Sequence, residues 1–195
     1  GIRANTVRDI NAIYRYLKGT LPIIGLIKQD YPDSPVYITP TYKEAKALIR
    51  SKCAVIALDA TNRPRPNGIK TEDLVHFLRD NTDKPLMADI ATYEEAMAAE
   101  ALGFDYISTT MRSYTAETKG IKIPDFELCE KLHKDIKKAV VVAEGGIHLS
   151  EEIQTILDIG IEHIIIGGAI TRPQNITRYF VEAFSNSASA IKVSQ

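Results

Sequence analysis

Short apolar runs recur along the whole chain, separated by stretches in which apolar positions return with helical spacing. The runs are PIIGLIK (22–28), AVIALDA (54–60), PLMADI (85–90), DYISTT (105–110), VVVAEGG (140–146) and HIIIGGA (163–169). They are nearly continuous in apolar residues and rich in Ile and Val, the pattern of strands buried on both faces of a parallel sheet. A further strand is predicted at residues 1–4. The stretches between them read as helices with defined ends. Thr41 with Glu44, and Thr92 with Glu95, have the spacing of capping boxes, in which a hydroxyl and a carboxylate satisfy free amides at a helix start. Ser150 is the predicted cap of a helix that carries Ile153, Ile156 and Leu157 on one face. Gly103 and Gly160 fall where helices should stop, because glycine accepts the left-handed turn. Near the start, Ile10, Ile13, Tyr14 and Leu17 form another apolar stripe.

One strand-helix unit is visibly repeated. TYKEAKAL followed by AVIALDAT matches TYEEAMAA followed by DYISTT at the same spacing. Such repetition predicts an α/β fold. Two long loops, QDYPDSPVYITP and MRSYTAETKGIKIP, both follow strand carboxyl ends, where (β/α)8 barrels carry their function. Seven strands are countable, whereas a closed barrel has eight. The expectation is one domain over residues 1–195, a (β/α)8 TIM barrel lacking its first β/α unit in this sequence. The competing fold, an open doubly wound sheet, has as its usual fingerprint a GxGxxG turn after the first strand, and none is present.

Composition narrows the function classes. The chain has 195 residues, 45% hydrophobic and 25% charged, which suits a globular domain with a full core. A formal net charge of -1 supplies no global attraction to nucleic acid or to an anionic membrane. No apolar run approaches the roughly 20 residues of a membrane span, and GIRANTVRDI lacks the apolar core of a signal peptide. Cys53 and Cys129 lie far apart with no CxxC, so free thiols in a reducing, cytoplasmic setting are expected.

The strand ends carry the chemistry. Lys28, Asp59, Asp89, Thr109 with Thr110, and Glu144 each close an apolar run, and in a barrel these ends converge on one mouth. A carboxylate in that position stands at a pocket rim, where partial desolvation tunes its pKa. Gly145 with Gly146, and Gly167 with Gly168, follow the last two strands. Barrels bind phosphate in this region through bare backbone amides, with Thr171 and Arg172 available for further contacts. Lys28 reads either as a proton carrier or as a Schiff-base lysine. The histidines show no metal-ligand spacing, and His76, His133 and His163 are placed away from the mouth, leaving only His148 near it. Ser113 and Thr115 have no evident histidine partner for a hydrolytic triad. Arg63 and Arg65, on a stiff loop after Asp59, read as a solvated turn ahead of the alternative that they reach an anionic ligand. The tail SNSASAIKVSQ reads as a frayed end or a loose final helix.

With these residues in view, the chain resembles the N-acetylmannosamine-6-phosphate 2-epimerases of bacterial sialic acid catabolism. The likeness is carried by GIRAN, GLIK, YITPT, ALDAT, RPRP, MADI, YISTTMRSYT, AEGGIH and GGAITRPQNIT, in order over nearly the whole length. The resemblance implies a barrel with a catalytic lysine at Lys28 and a catalytic glutamate at Glu144. It also implies substrate contacts at Arg3, Asp89 and Arg172, and phosphate loops at Gly145, Gly146, Gly167 and Gly168. Arg3 enters by this route alone. The implied reaction inverts carbon 2 of an N-acetylated hexosamine phosphate by removing and returning a proton. Glu144 would either assist on the opposite face or hold the sugar while its ring opens. No metal or organic cofactor is called for. The expected partner is a phosphosugar, with neither nucleic acid nor membrane, and a homodimer is the expected assembly. The rival readings are an aldolase using Lys28 as a Schiff base and a non-catalytic phosphosugar-binding barrel.

Overall fold

A computed structural model describes residues 1–193, with side chains through Ser185. Seven parallel strands pair in strict chain order: β1 (Ile2–Asn5), β2 (Ile23–Leu26), β3 (Val55–Asp59), β4 (Leu86–Asp89), β5 (Tyr106–Ser108), β6 (Val140–Glu144) and β7 (His163–Ile165). All seven fall on the predicted runs. Eight helices follow or separate them: α1 (Val7–Tyr16), α2 (Tyr42–Ile49), α3 (Thr71–Asn81), α4 (Tyr93–Ala101), α5 (Phe126–Asp135), α6 (Ser150–Ile159), α7 (Gly168–Thr171) and α8 (Pro173–Val193). α8 carries the predicted final helix as far as Val193; Ser194 and Gln195 lie outside the described residues.

Strand alternation splits the apolar side chains into two layers. Ile23, Ile56, Leu58, Leu86, Ala88 and Ile107 face outward and pack against helix residues such as Ile10, Leu48, Leu74 and Leu78. Ile24, Leu26, Val55, Ala57, Met87, Tyr106, Val142 and Ile165 face inward and pack together with Ile38 and Met111. This double burial explains why the runs lack a polar face. The sheet is strongly curled. In a flat sheet β1 and β6 would stand about 24 Å apart, five spacings of about 4.8 Å. Yet an Arg3 nitrogen of β1 lies 3.2 Å from a Glu144 oxygen of β6. Among the described residues β1 pairs only with β2, and β7 only with β6.

The helix ends follow the sequence with one correction. Thr41 and Thr92 cap α2 and α4, and Glu44 and Glu95 return their carboxylates to the cap amides at 3.1 and 3.0 Å. Gly103 and Gly160 end α4 and α6 at φ 83° and 103°. At α6, however, Ser150 is already helical and Leu149 occupies the cap position. The Glu152 carboxylate takes over, accepting from His148 N at 2.7 Å and Leu149 N at 3.0 Å. Of the expected α6 face, Ile156 is buried and Leu157 is exposed. Cys53 and Cys129 are free and buried, and burial pushes the Cys129 thiol up to about 12, far from thiolate chemistry.

Candidate active site

All strands point the same way, so every carboxyl end opens on one face, and Lys28, Asp59, Asp89 and Glu144 stand there. The centre of this face is a charged group built across the curl. Arg3 donates to Asp89 Oδ2 at 2.6 Å from one terminal nitrogen, and the other lies 3.2 Å from Glu144 Oε2 and 3.3 Å from Met87 Sδ. Thr110 Oγ1 lies 2.7 Å from Asp89 Oδ1, 2.8 Å from Ser108 Oγ and 3.0 Å from Glu144 Oε2. Ser108 Oγ lies 3.2 Å from the same Glu144 oxygen. β1, β4, β5 and β6 each contribute, and the turn Thr109–Met111 swings Thr110 inward because the strand ends at Ser108.

Burial grades this cluster. The Asp89 side chain is fully buried, Arg3 is 11% exposed and Glu144 17%, so Glu144 is the most open of these three charged groups. Burial depresses the charged form of Arg3, but Asp89 and Glu144 overcome it and the guanidinium is held above its ordinary pKa. Glu144 is pushed above the usual carboxylate range. Its burial is the largest cause, Asp89 repels its charge, and Arg3, Thr110 and Ser108 pull the other way.

Lys28 lies two residues past β2, exposed at the same rim. Its backbone amide donates to Asn5 Oδ1 at 2.9 Å, and its ammonium stands 5.7 Å from the centre of the Tyr37 ring. Tyr37 returns on the loop after β2, which folds back through antiparallel pairing of Lys28 with Ile38. Its phenol reaches Met111 Sδ at 3.8 Å and is held above its ordinary pKa, first by burial, with Asp59 and Asp89 adding to it and Arg63 opposing. Tyr37 thus ties the lysine to the acidic centre, and no sequence signal singled it out.

Asp59 is engaged differently. It accepts from Thr61 at 3.0 Å and 2.7 Å and pairs with Arg63 at 2.5 Å. The loop of Arg63 and Arg65 is not a solvated turn. Arg65 is buried, its guanidinium donates to the carbonyls of Asp59, Thr39 and Pro40, and burial lowers it to about 10. These arginines brace the rim through backbone acceptors, which sequence does not display.

Gly145 and Gly146 turn the chain at φ 103° and 72° directly after Glu144. A Cβ on Gly146 would stand 2.5 Å from the backbone carbonyl of Ile123. The bare backbone therefore admits the long loop after β5, which Arg112 fastens by pairing with Asp125 at 2.7 Å. Gly146→Ala is expected to lose at least about 2 kcal/mol of stability, from left-handed strain plus the clash, read from the midpoint of urea unfolding. Among the described residues the amides of Gly145, Gly146 and Gly167 have no hydrogen-bond acceptor. Gly168 opens α7, and Arg172 stands exposed where α7 meets α8. The structure joins Arg3, Asp89 and Glu144 directly, sets Lys28 at the same rim, and leaves Arg172 outside the cluster. No group of His, Cys, Asp and Glu among the described residues is arranged to hold a metal ion.

A curled parallel β/α sheet with its polar site at the strand carboxyl ends defines a barrel-type α/β protein. Mandelate oxidase shares this fold at 14% identity and a TM-score of 0.61, over 87% of this chain and 57% of that one. The chain belongs to the N-acetylmannosamine-6-phosphate epimerase family, whose model, described as "Putative N-acetylmannosamine-6-phosphate epimerase", matches residues 1–186. A relative from Clostridium perfringens, described in the same way as a 2-epimerase, is 49% identical over 181 residues, 93% of this chain and 80% of its own length. One from Oceanobacillus iheyensis is 48% identical over 184 residues, with 93% and 82% covered. The solved N-acetylmannosamine-6-phosphate 2-epimerase of Clostridium perfringens superposes with a TM-score of 0.87 at 48% identity, over 93% of this chain and 77% of that one.

Proposed function

We propose that this protein is an isomerase that interconverts N-acetylmannosamine 6-phosphate and N-acetylglucosamine 6-phosphate, with Lys28 and Glu144 carrying the proton transfers. The observation that carries this reading is the Arg3–Asp89–Glu144 cluster, set at the strand ends that also present Lys28. Family membership selects the sugar.

The sugar must first open. The C1–O5 bond breaks, its electron pair goes to O5, and O5 takes the proton of Glu144, while the anomeric hydroxyl loses its proton to water at the mouth. A carboxyl held above its ordinary range retains that proton nearer neutrality. Carbon 2 is then adjacent to an aldehyde, and its proton is acidic enough to pass to the Lys28 amine as electron density moves to the carbonyl oxygen. Rotation about the C2–C3 bond turns the other face of the enolate to the Lys28 ammonium, whose protons have exchanged with solvent, and the proton it delivers there inverts the centre. Arg3, with Asp89 acting through it, fixes Glu144 and the sugar against each other. The free amides of Gly145, Gly146 and Gly167, together with Gly168 and Arg172, take the phosphate and hold carbon 2 at Lys28.

Two finer points belong to the same reading. A cytoplasmic setting suits the free buried thiols and an anionic sugar substrate. Pairing of two copies through outer helices draws support from the exposed Tyr179, Phe180 and Phe184 on α8.

Turnover in heavy water tests the mechanism. Deuterium is expected at carbon 2 of both epimers, read by proton NMR. Inversion with full retention of the carbon 2 proton points instead to a proton shielded from solvent or to a different route.

A further inference from the structure

A hydroxyl has one proton and two lone pairs, so it donates once and accepts twice. Thr110 Oγ1 has three polar neighbours: Asp89 Oδ1 at 2.7 Å, Ser108 Oγ at 2.8 Å and Glu144 Oε2 at 3.0 Å. With both carboxyl groups ionised, the two hydroxyl protons of Thr110 and Ser108 must serve four close oxygen contacts, counting Ser108 to Glu144 at 3.2 Å. Ionised Asp89 can only accept, so the shortest contact takes the Thr110 proton. Ser108 can then supply Thr110 or Glu144, and in either case lone pairs are left facing each other at hydrogen-bond distance.

One additional proton on Glu144 resolves this. Glu144 then donates to Thr110, Ser108 donates to Thr110, and Thr110 donates to Asp89. The three shortest contacts are each served by one proton, and the full capacity of the Thr110 hydroxyl is used.

We propose that Thr110 is a positioning residue that accepts a hydrogen bond from protonated Glu144 and passes its own to Asp89, holding Glu144 as the acid that opens the sugar ring. The proposal rests on the function given above and names what loads its acid. The charged groups around Glu144 fit. Arg3 from β1 is the one cation that pulls Glu144 toward ionisation, and it makes its shorter bond, 2.6 Å, to Asp89. Asp89 from β4 repels a second negative charge. Asp59 is engaged by Arg63 and Thr61, and Tyr37 faces Asp89 and Met111 rather than Glu144. Burial of Glu144 favours the neutral acid, whereas Thr110 and Ser108 lower its pKa only where they donate to the ionised carboxylate, the opposite arrangement that the titration distinguishes.

The sign of one shift decides the matter. The Glu144 side-chain carbon is followed by 13C NMR titration of the ligand-free protein, in wild type, Thr110→Val and Thr110→Ser. If Glu144 donates to Thr110, removing the hydroxyl removes a bond to the neutral acid, and the Glu144 midpoint falls in Thr110→Val and returns in Thr110→Ser. If Thr110 instead donates to an ionised Glu144, the midpoint rises in Thr110→Val, and the proposal is overturned; an unchanged midpoint overturns it as well. Should Thr110→Val not fold, Thr110→Ala removes the same hydroxyl and is read the same way. In turnover, Thr110→Val is expected to lose about 10²-fold in kcat, the scale of a misplaced catalytic group, with KM nearly unchanged and the alkaline limb of the pH profile, which the protonated acid sets, moved in the direction of the titration. The titration needs no substrate. A falling midpoint together with no interconversion of the two epimers by the wild type leaves the hydrogen bond standing and rejects the epimerase reading alone.

Discussion

Lys28→Ala is expected to lower kcat by at least about 10²- to 10⁴-fold, the usual contribution of a positioned acid–base group. Phosphosugar binding should persist, because the contacts assigned to the phosphate and to Glu144 are untouched. Stability should hardly change. The side chain is exposed, and its contact with Tyr37 is worth about 0.5–1 kcal/mol at most. Deuterium uptake at carbon 2 should disappear together with turnover. The decisive measurement is the pair of kcat and thermal midpoint on one preparation. A variant that turns over at a near-normal rate removes Lys28 from the chemistry, and one that unfolds reveals a structural role that the geometry denies.

Arg3→Met is expected to damage both stability and activity. Removing one partner of a buried ion pair leaves the other charge uncompensated, at a cost of about 3–5 kcal/mol. Here two carboxylates lose the same cation, and the Asp89 side chain is fully buried. The pH dependence has a definite sign. Glu144 already has a folded pKa above its unfolded one, so its stabilising contribution is present below the unfolded pKa and is lost as pH rises through the folded value. Arg3 is the strongest of the groups lowering that value, so Arg3→Met moves it higher still. The stability deficit should therefore be largest in alkaline solution and shrink as the solution is acidified and the carboxyl groups take up protons. Urea unfolding at two pH values reads this directly. A deficit independent of pH would show that packing against Met87, and not charge, is what Arg3 supplies.

The strands were legible because of their surroundings. A parallel strand covered by helices outside and by side chains inside must be apolar on both faces, and residues 54–60 and 140–146 say so. Thr41 with Glu44, and Thr92 with Glu95, were legible because a capping box is a local bargain between residues three apart. Ser150 misled for the same reason: hydroxyl and spacing were right, but Glu152 alone satisfied both amides. Lys28, Asp89 and Glu144 could be noticed because each closes an apolar run. Arg3 could not, since an arginine in IRAN looks like a strand's solvent-facing residue until the sheet curls. Gly145 and Gly146 were noticed as bare backbone, yet Ile123, brought in by a distant loop, is what excludes a side chain at Gly146.

What the sequence determined alone was the order and kind of its elements, and the set of polar residues at their ends, because periodicity, capping and strand termination act over a few residues. Only the tertiary structure decided which of those residues form a site. The curl carries Arg3 across to Asp89 and Glu144, the turn after β5 drops Thr110 between the two acids, and the loop after β2 lays Tyr37 beneath Lys28. Contacts between residues 84 or 141 positions apart depend on sheet curvature and burial, which no local pattern encodes.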